Sequence, residues 1–83
     1  MSYRLDVDPV AQAQIRALPS DALGALAEVM SMFELTPWDG PSINEDNPEG
    51  NVRVLPFGSG GMVTYLILED QRRVDVLDVL WVG

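Results

Sequence analysis

The sequence contains no cysteine, no histidine and no lysine. Without cysteine there is no disulfide framework, no thiolate nucleophile and no cysteine-ligated zinc. Without histidine and lysine, the commonest proton shuttle, Schiff-base nucleophiles and Walker-type phosphate sites are excluded. Cations are scarce altogether: five arginines face thirteen carboxylates, for a net charge of −8. Association with nucleic acid relies on neutralised phosphates and released counterions, so direct nucleic-acid binding is expected to be weak or absent. No run approaches the ~18 apolar residues of a membrane span. The opening Met1-Ser2-Tyr3-Arg4-Leu5-Asp6 lacks the basic and apolar regions of a secretory signal, so a cytoplasmic protein with no membrane partner is expected.

What remains is ordinary globular material, 83 residues of which 47% are apolar and 22% charged. A chain of this size buries only ~60–65% of its unfolded surface, which supports one core and one domain over residues 1–83. Tyr3, Leu5 and Val7 alternate with Arg4, Asp6 and Asp8, the period of a strand with one buried face. Asp8-Pro9 supplies an N-cap carboxylate and a proline at the first helical position. Val10, Ala11, Ile15 and Leu18 then share a helical face up to Pro19. Ser20 and Asp21 open a second helix, the Ser20 hydroxyl as its cap, and Leu23, Leu26, Ala27, Met30 and Phe33 form its apolar stripe. Thr36-Pro37 ends it.

Residues 52–57, 62–69 and 73–82 are rich in Val, Leu, Ile and aromatics and read as three strands, separated by Gly58-Ser59-Gly60-Gly61 and Glu69-Asp70-Gln71-Arg72. The middle one is apolar on both alternations and is expected at the centre of the sheet. The result is an α+β fold of order β-α-α-β-β-β, an antiparallel sheet with a two-helix hairpin on one face and the first strand at an edge. Residues 38–51 form a long loop with proline, glycine and carboxylates, of the length that is either functional or mobile.

In this order, the chain resembles the RelE/ParE superfamily of bacterial type II toxins. The resemblance rests on Tyr3-Arg4-Leu5-Asp6-Val7-Asp8, Leu18-Pro19, Leu35-Thr36-Pro37, Gly50-Asn51-Val52-Arg53-Val54, Val63-Thr64-Tyr65-Leu66-Ile67 and the final segment from Val74 to Gly83. It implies a toxin-like component of a toxin–antitoxin module of the plasmid-stabilisation type, with a cognate antitoxin-like protein as partner. The family's mRNA-cleaving members work on the ribosome with basic residues on the middle strands and just past the last one. Here Arg53 matches one such position, but the next falls at Leu55, another at Met62, and the basic tail positions have no counterpart in these residues. Loss of groups that stabilise a developing phosphorane, each worth ~3 kcal/mol, implies weak or lost RNA cleavage. Three readings stay open: action through protein binding, a ribosome-dependent endonuclease, and a gyrase-inhibiting or degenerate, homodimerising member.

The candidate residues follow. Arg53 and Tyr65 are the catalytic pair if cleavage occurs; from the residues alone, Arg53 reads as an exposed arginine paired with the acidic loop, and Tyr65 as core. Trp38 and Trp81 are the candidate partner-binding residues, because uncovered tryptophans favour protein contacts. Arg72 and Arg73, next to Glu69 and Asp70, read as a solvated hairpin tip. Glu45, Asp46 and Glu49 match no cation-binding loop, Asp75 and Asp78 are expected on opposite faces of one strand, and Ser59 lacks a histidine to activate it. No metal or cofactor is expected.

Overall fold

The structure, a computed structural model, describes residues 2–42, 44, 46–47 and 49–82. The expectations concerning Met1, Glu45, Pro48 and Gly83 lie outside the described residues. Asp8 starts the first helix as its context predicts: its carboxylate accepts the Val10 N–H at 3.0 Å, and Pro9 follows at the first helical position. The strand before it, β1 (Arg4–Val7), leads into α1 (Pro9–Arg16), and α2 (Ser20–Leu35) begins after Pro19. Pro19, not Ser20, stands at the second N-cap, and no side chain caps that end. The extended conformation of Pro19 aims its carbonyl at the Leu23 N–H, 3.1 Å away, so Ser20 is already the first helical residue. Then come β2 (Val52–Phe57), β3 (Gly61–Leu68) and β4 (Arg73–Trp81), completing the expected β-α-α-β-β-β order.

The four strands lie in the order β1-β4-β3-β2, so β3 is internal and β1 takes an edge. The pairs β2/β3 and β3/β4 are antiparallel, whereas β1 runs parallel to β4. The sheet is thus mostly antiparallel, as expected, with one parallel pair where β1 joins the edge. In a three-strand meander β2 and β4 share a direction, and the two-helix crossover after β1 lays β1 along that direction beside β4, a long-range arrangement that local pattern does not encode.

On one face, Phe57, Val63, Tyr65, Ile67, Val74, Val76 and Val79 meet Ala11 of α1 and Ala22, Leu26 and Phe33 of α2 in a single core. The spacing on β4 is uneven because Val76 lies opposite Tyr65 and Asp78 opposite Thr64, leaving Leu77 as an extra residue. That bulge flips the alternation and returns Val79 to the core. Gln14 of α1 takes over where β1 has ended: its Oε1 accepts the Val79 N–H at 2.7 Å and its Nε2 donates to Asp78 Oδ1 at 2.7 Å. Asp75 lies opposite Leu66 and Asp78 opposite Thr64, so the two carboxylates share a face, correcting the opposite-face expectation. Asp75 is paired with Arg73 at 2.7 Å, and Asp78 is held by Gln14.

The other face of the sheet mixes aliphatic side chains with Thr64 and with the charged Arg73, Asp75 and Asp78. Register places Val52 opposite Leu66, Val54 opposite Thr64, and Met62 between Pro56 and Leu80. Met62 and Leu80 are exposed.

Candidate functional site

Thr36-Pro37 ends α2 and a single 3₁₀ turn follows at Pro37–Asp39. Two side chains from the sheet then hold the loop that begins there. Tyr65, fully buried, donates its hydroxyl to the Pro37 carbonyl at 2.7 Å and lies against Phe33 with ring centroids 4.0 Å apart. Burial raises its pKa, partly countered by the positive charge of Arg53. Arg53 donates from Nε to the Gly50 carbonyl at 2.9 Å, and from Nη1 to the Gly40 carbonyl at 2.7 Å and the Trp38 carbonyl at 3.3 Å. Ser42 adds an isolated bridge opposite Arg53, and the Val54 N–H reaches the Pro41 carbonyl at 3.1 Å.

Arg53 is only 7% exposed, which corrects the expectation of a surface arginine. Its strand parity places it on the helix side of the sheet, where the loop supplies carbonyls that satisfy the guanidinium fork. In this arrangement both Arg53 and Tyr65 are buried, with the Tyr65 hydroxyl and the Arg53 Nε and Nη1 engaged by carbonyls of the loop.

Tightness at this latch explains Gly40. Its backbone conformation, φ −74° and ψ 154°, suits any residue, but an added Cβ would collide with the Tyr65 hydroxyl. Gly40→Ala is therefore expected to break the Tyr65–Pro37 bond and destabilise the fold by ~1–3 kcal/mol, as overpacking does. Urea denaturation of the variant, compared with Gly24→Ala where nothing lies within 4 Å, measures this.

A second cluster lies next to the latch. The guanidinium of Arg53 sits 4.9 Å from the Trp38 ring centroid. Trp38 Nε1 donates to Glu69 Oε1 at 2.8 Å, Tyr3 donates its hydroxyl to the same oxygen at 2.6 Å, and Arg72 reaches Glu69 Oε2 at 2.6 Å. Arg72 also stacks 4.1 Å from the Tyr3 ring and adopts φ 48°, the left-handed conformation that ends the Glu69–Gln71 turn. The expected solvated hairpin tip is thus a junction tying the start of β1 and the loop after α2 to the β3–β4 connection. Hydrogen bonds from Tyr3, Trp38 and Arg72 lower the Glu69 pKa to about 2. A carboxylate this acidic is a poor general base near neutral pH.

The linkage has a definite sign. Because folding lowers the Glu69 pKa, the stabilisation is complete above the unfolded value of ~4.3 and is lost as pH falls towards 2. Glu69→Gln is expected to flatten the loss of stability across that window, read from urea midpoints at successive pH values.

Trp38 and Trp81 stand at opposite ends of β3. Trp38 is held by Glu69 just past the end of β3, whereas Trp81 pairs with Gly61 at its start and stacks on Phe57 with ring centroids 5.8 Å apart. They form no common patch. Among the described residues, no cluster of acidic side chains is arranged to hold a metal ion. An open cavity of about 250 Å³ is lined by Trp38, Asn51, Leu68, Glu69, Asp70 and Gln71. Sequence reasoning missed Tyr3 and Glu69 as a unit; the signal available was a tyrosine opening a strand and a carboxylate closing one, which says nothing about their meeting.

No protein-family model matches the chain, and no curated protein matches it. Solved structures do. A double arginine-to-alanine mutant of the E. coli toxin RelE, in complex with an antitoxin RelB peptide, superposes with a TM-score of 0.83 at 21% identity over 100% of this chain and 86% of that one. The toxin–antitoxin complex RelBE2 from Mycobacterium tuberculosis matches with a TM-score of 0.82 at 17% identity over 99% and 100% of the two chains. The archaeal RelE–RelB complex from Pyrococcus horikoshii matches at 0.67 and 17% identity, over 100% and 98%. The chain has a RelE-like toxin fold.

Proposed function

We propose that this chain is the toxin-like component of a toxin–antitoxin module, acting in the cytoplasm through protein binding, with RNA cleavage weak or lost. One observation carries the reading: within a RelE-like fold, Arg53, the residue matching the family's basic strand position, is buried and spent on loop carbonyls. The sheet face away from the helices offers Val52, Val54, Met62, Leu66 and Leu80 beside the carboxylates Asp75 and Asp78, and its arginine, Arg73, is paired with Asp75. The structural relatives solved with RelB antitoxins support an antitoxin-like partner. At net charge −8, complementarity favours a partner with a basic contacting segment.

The test is colony formation after induced expression in a bacterium, with an active RelE toxin as positive control, together with capture of the small protein encoded beside this chain. Unimpaired growth with soluble protein, and capture weakened by salt, are expected. Growth arrest with ribosome-dependent mRNA cleavage that Arg53→Ala abolishes would establish the endonuclease reading instead. Arrest with inhibited gyrase would establish a ParE-like one.

A further inference from the structure

Trp38 is a prearranged wall. Its indole nitrogen is fixed by Glu69 and one side of the ring is covered by Arg53, yet the residue stays 37% exposed. The rest of it lines the open cavity, whose rim carries exposed Asn51, Asp70 and Gln71 over an apolar floor of Ile67 and Leu68. We propose that this cavity binds an arginine side chain presented by the partner protein, its guanidinium against Trp38 and its charge against Asp70. This inference names the partner group for the reading above and rests on it only in taking the partner to be a protein with a basic segment.

Three observations select a guanidinium. The volume, about 250 Å³, accommodates one long side chain. The lining is negative, because its two charged residues are Glu69 and Asp70. Glu69 is occupied by Tyr3, Trp38 and Arg72, which leaves Asp70 as the lining carboxylate that meets the incoming cation. A planar cation gains from an aromatic face and can form a fork with a carboxylate, while Asn51 and Gln71 offer amide oxygens at the rim. The chain already stacks arginine on an aromatic ring twice, Arg53 on Trp38 and Arg72 on Tyr3.

The experiment uses the full chain carrying Trp81→Phe, so that Trp38 is the only indole and its fluorescence reports the cavity. Acetyl-Gly-Arg-Gly-amide is titrated beside its citrulline and lysine counterparts. A saturable change with the arginine peptide is expected, about tenfold weaker with citrulline and several-fold weaker with lysine. Asp70→Asn is expected to weaken arginine binding several-fold. Asp21→Asn removes the same charge near the far end of α2, roughly 21 Å of helix from Leu35, and is expected to change it less than about twofold. Both sites are exposed, and thermal melts check that the variants fold. No saturable change, equal losses from Asp70→Asn and Asp21→Asn, or equal binding of arginine and lysine peptides would each overturn the assignment. The peptide titration is independent of colony formation, so a failed pocket and a failed protein-binding role are told apart.

Discussion

Phe33→Ala is expected to destabilise the protein by ~3–5 kcal/mol, the usual cost of removing a fully buried phenylalanine and leaving a cavity. Phe33 is 0% exposed on α2, and its ring lies against Tyr65 at 4.0 Å between centroids. Domains are typically stable by ~5–15 kcal/mol, and a small one has little margin, so the variant is expected to be largely unfolded at moderate urea. Phe33→Leu retains most of the volume and is expected to lose under half as much. Equilibrium urea denaturation measures both. Equal losses for the two variants would mean that the aromatic contact, rather than filled volume, is what matters. The same ring supports the loop beyond α2, because displacing Tyr65 also displaces the hydroxyl that holds the Pro37 carbonyl.

Arg53→Leu is expected to cost ~3 kcal/mol. The substitution keeps an apolar stem against Trp38 but leaves the carbonyls of Gly40 and Gly50 without their charged donor, and an orphaned acceptor costs ~1–3 kcal/mol. The loss is expected to be felt in the loop first. Limited proteolysis is expected to cut within residues 41–51 faster than in the parent, while urea denaturation gives the global cost. Arg53→Lys is expected to recover only part, since an ammonium cannot reach the Gly50 and Gly40 carbonyls with the same planar fork. If Arg53→Leu left stability and proteolysis unchanged while abolishing a cleavage activity, the latch would be the wrong account of this residue and a catalytic one the right account.

Much of the fold is legible along the chain because short-range chemistry decides it. Asp8-Pro9 starts α1, Thr36-Pro37 ends α2, and the strand composition of residues 52–57 coincides with β2. Tyr65 as a core residue with a satisfied hydroxyl follows from its apolar neighbours on a central strand. The site was less legible. Arg53 lies among alternating aliphatic residues, and nothing local says that the loop before it folds back to offer carbonyls. Glu69 and Arg72 are neighbours in sequence, but Tyr3, 66 positions from Glu69, and Trp38, 31 positions away, turn an exposed ion pair into a junction. On β4 the alternation misleads because one extra residue at Leu77 changes the parity of everything after it.

The sequence alone therefore determined the element order, the breaks between elements, a single core, and the absence of cysteine, histidine and lysine chemistry. These are properties of local backbone preference and composition. Only the tertiary structure decided that β1 runs parallel to β4, that Arg53 turns inward, and that Trp38 is fixed beside an open cavity. Each depends on contacts between residues far apart in the chain, whose geometry is set by how the layers close on one core rather than by any residue's own conformational preference.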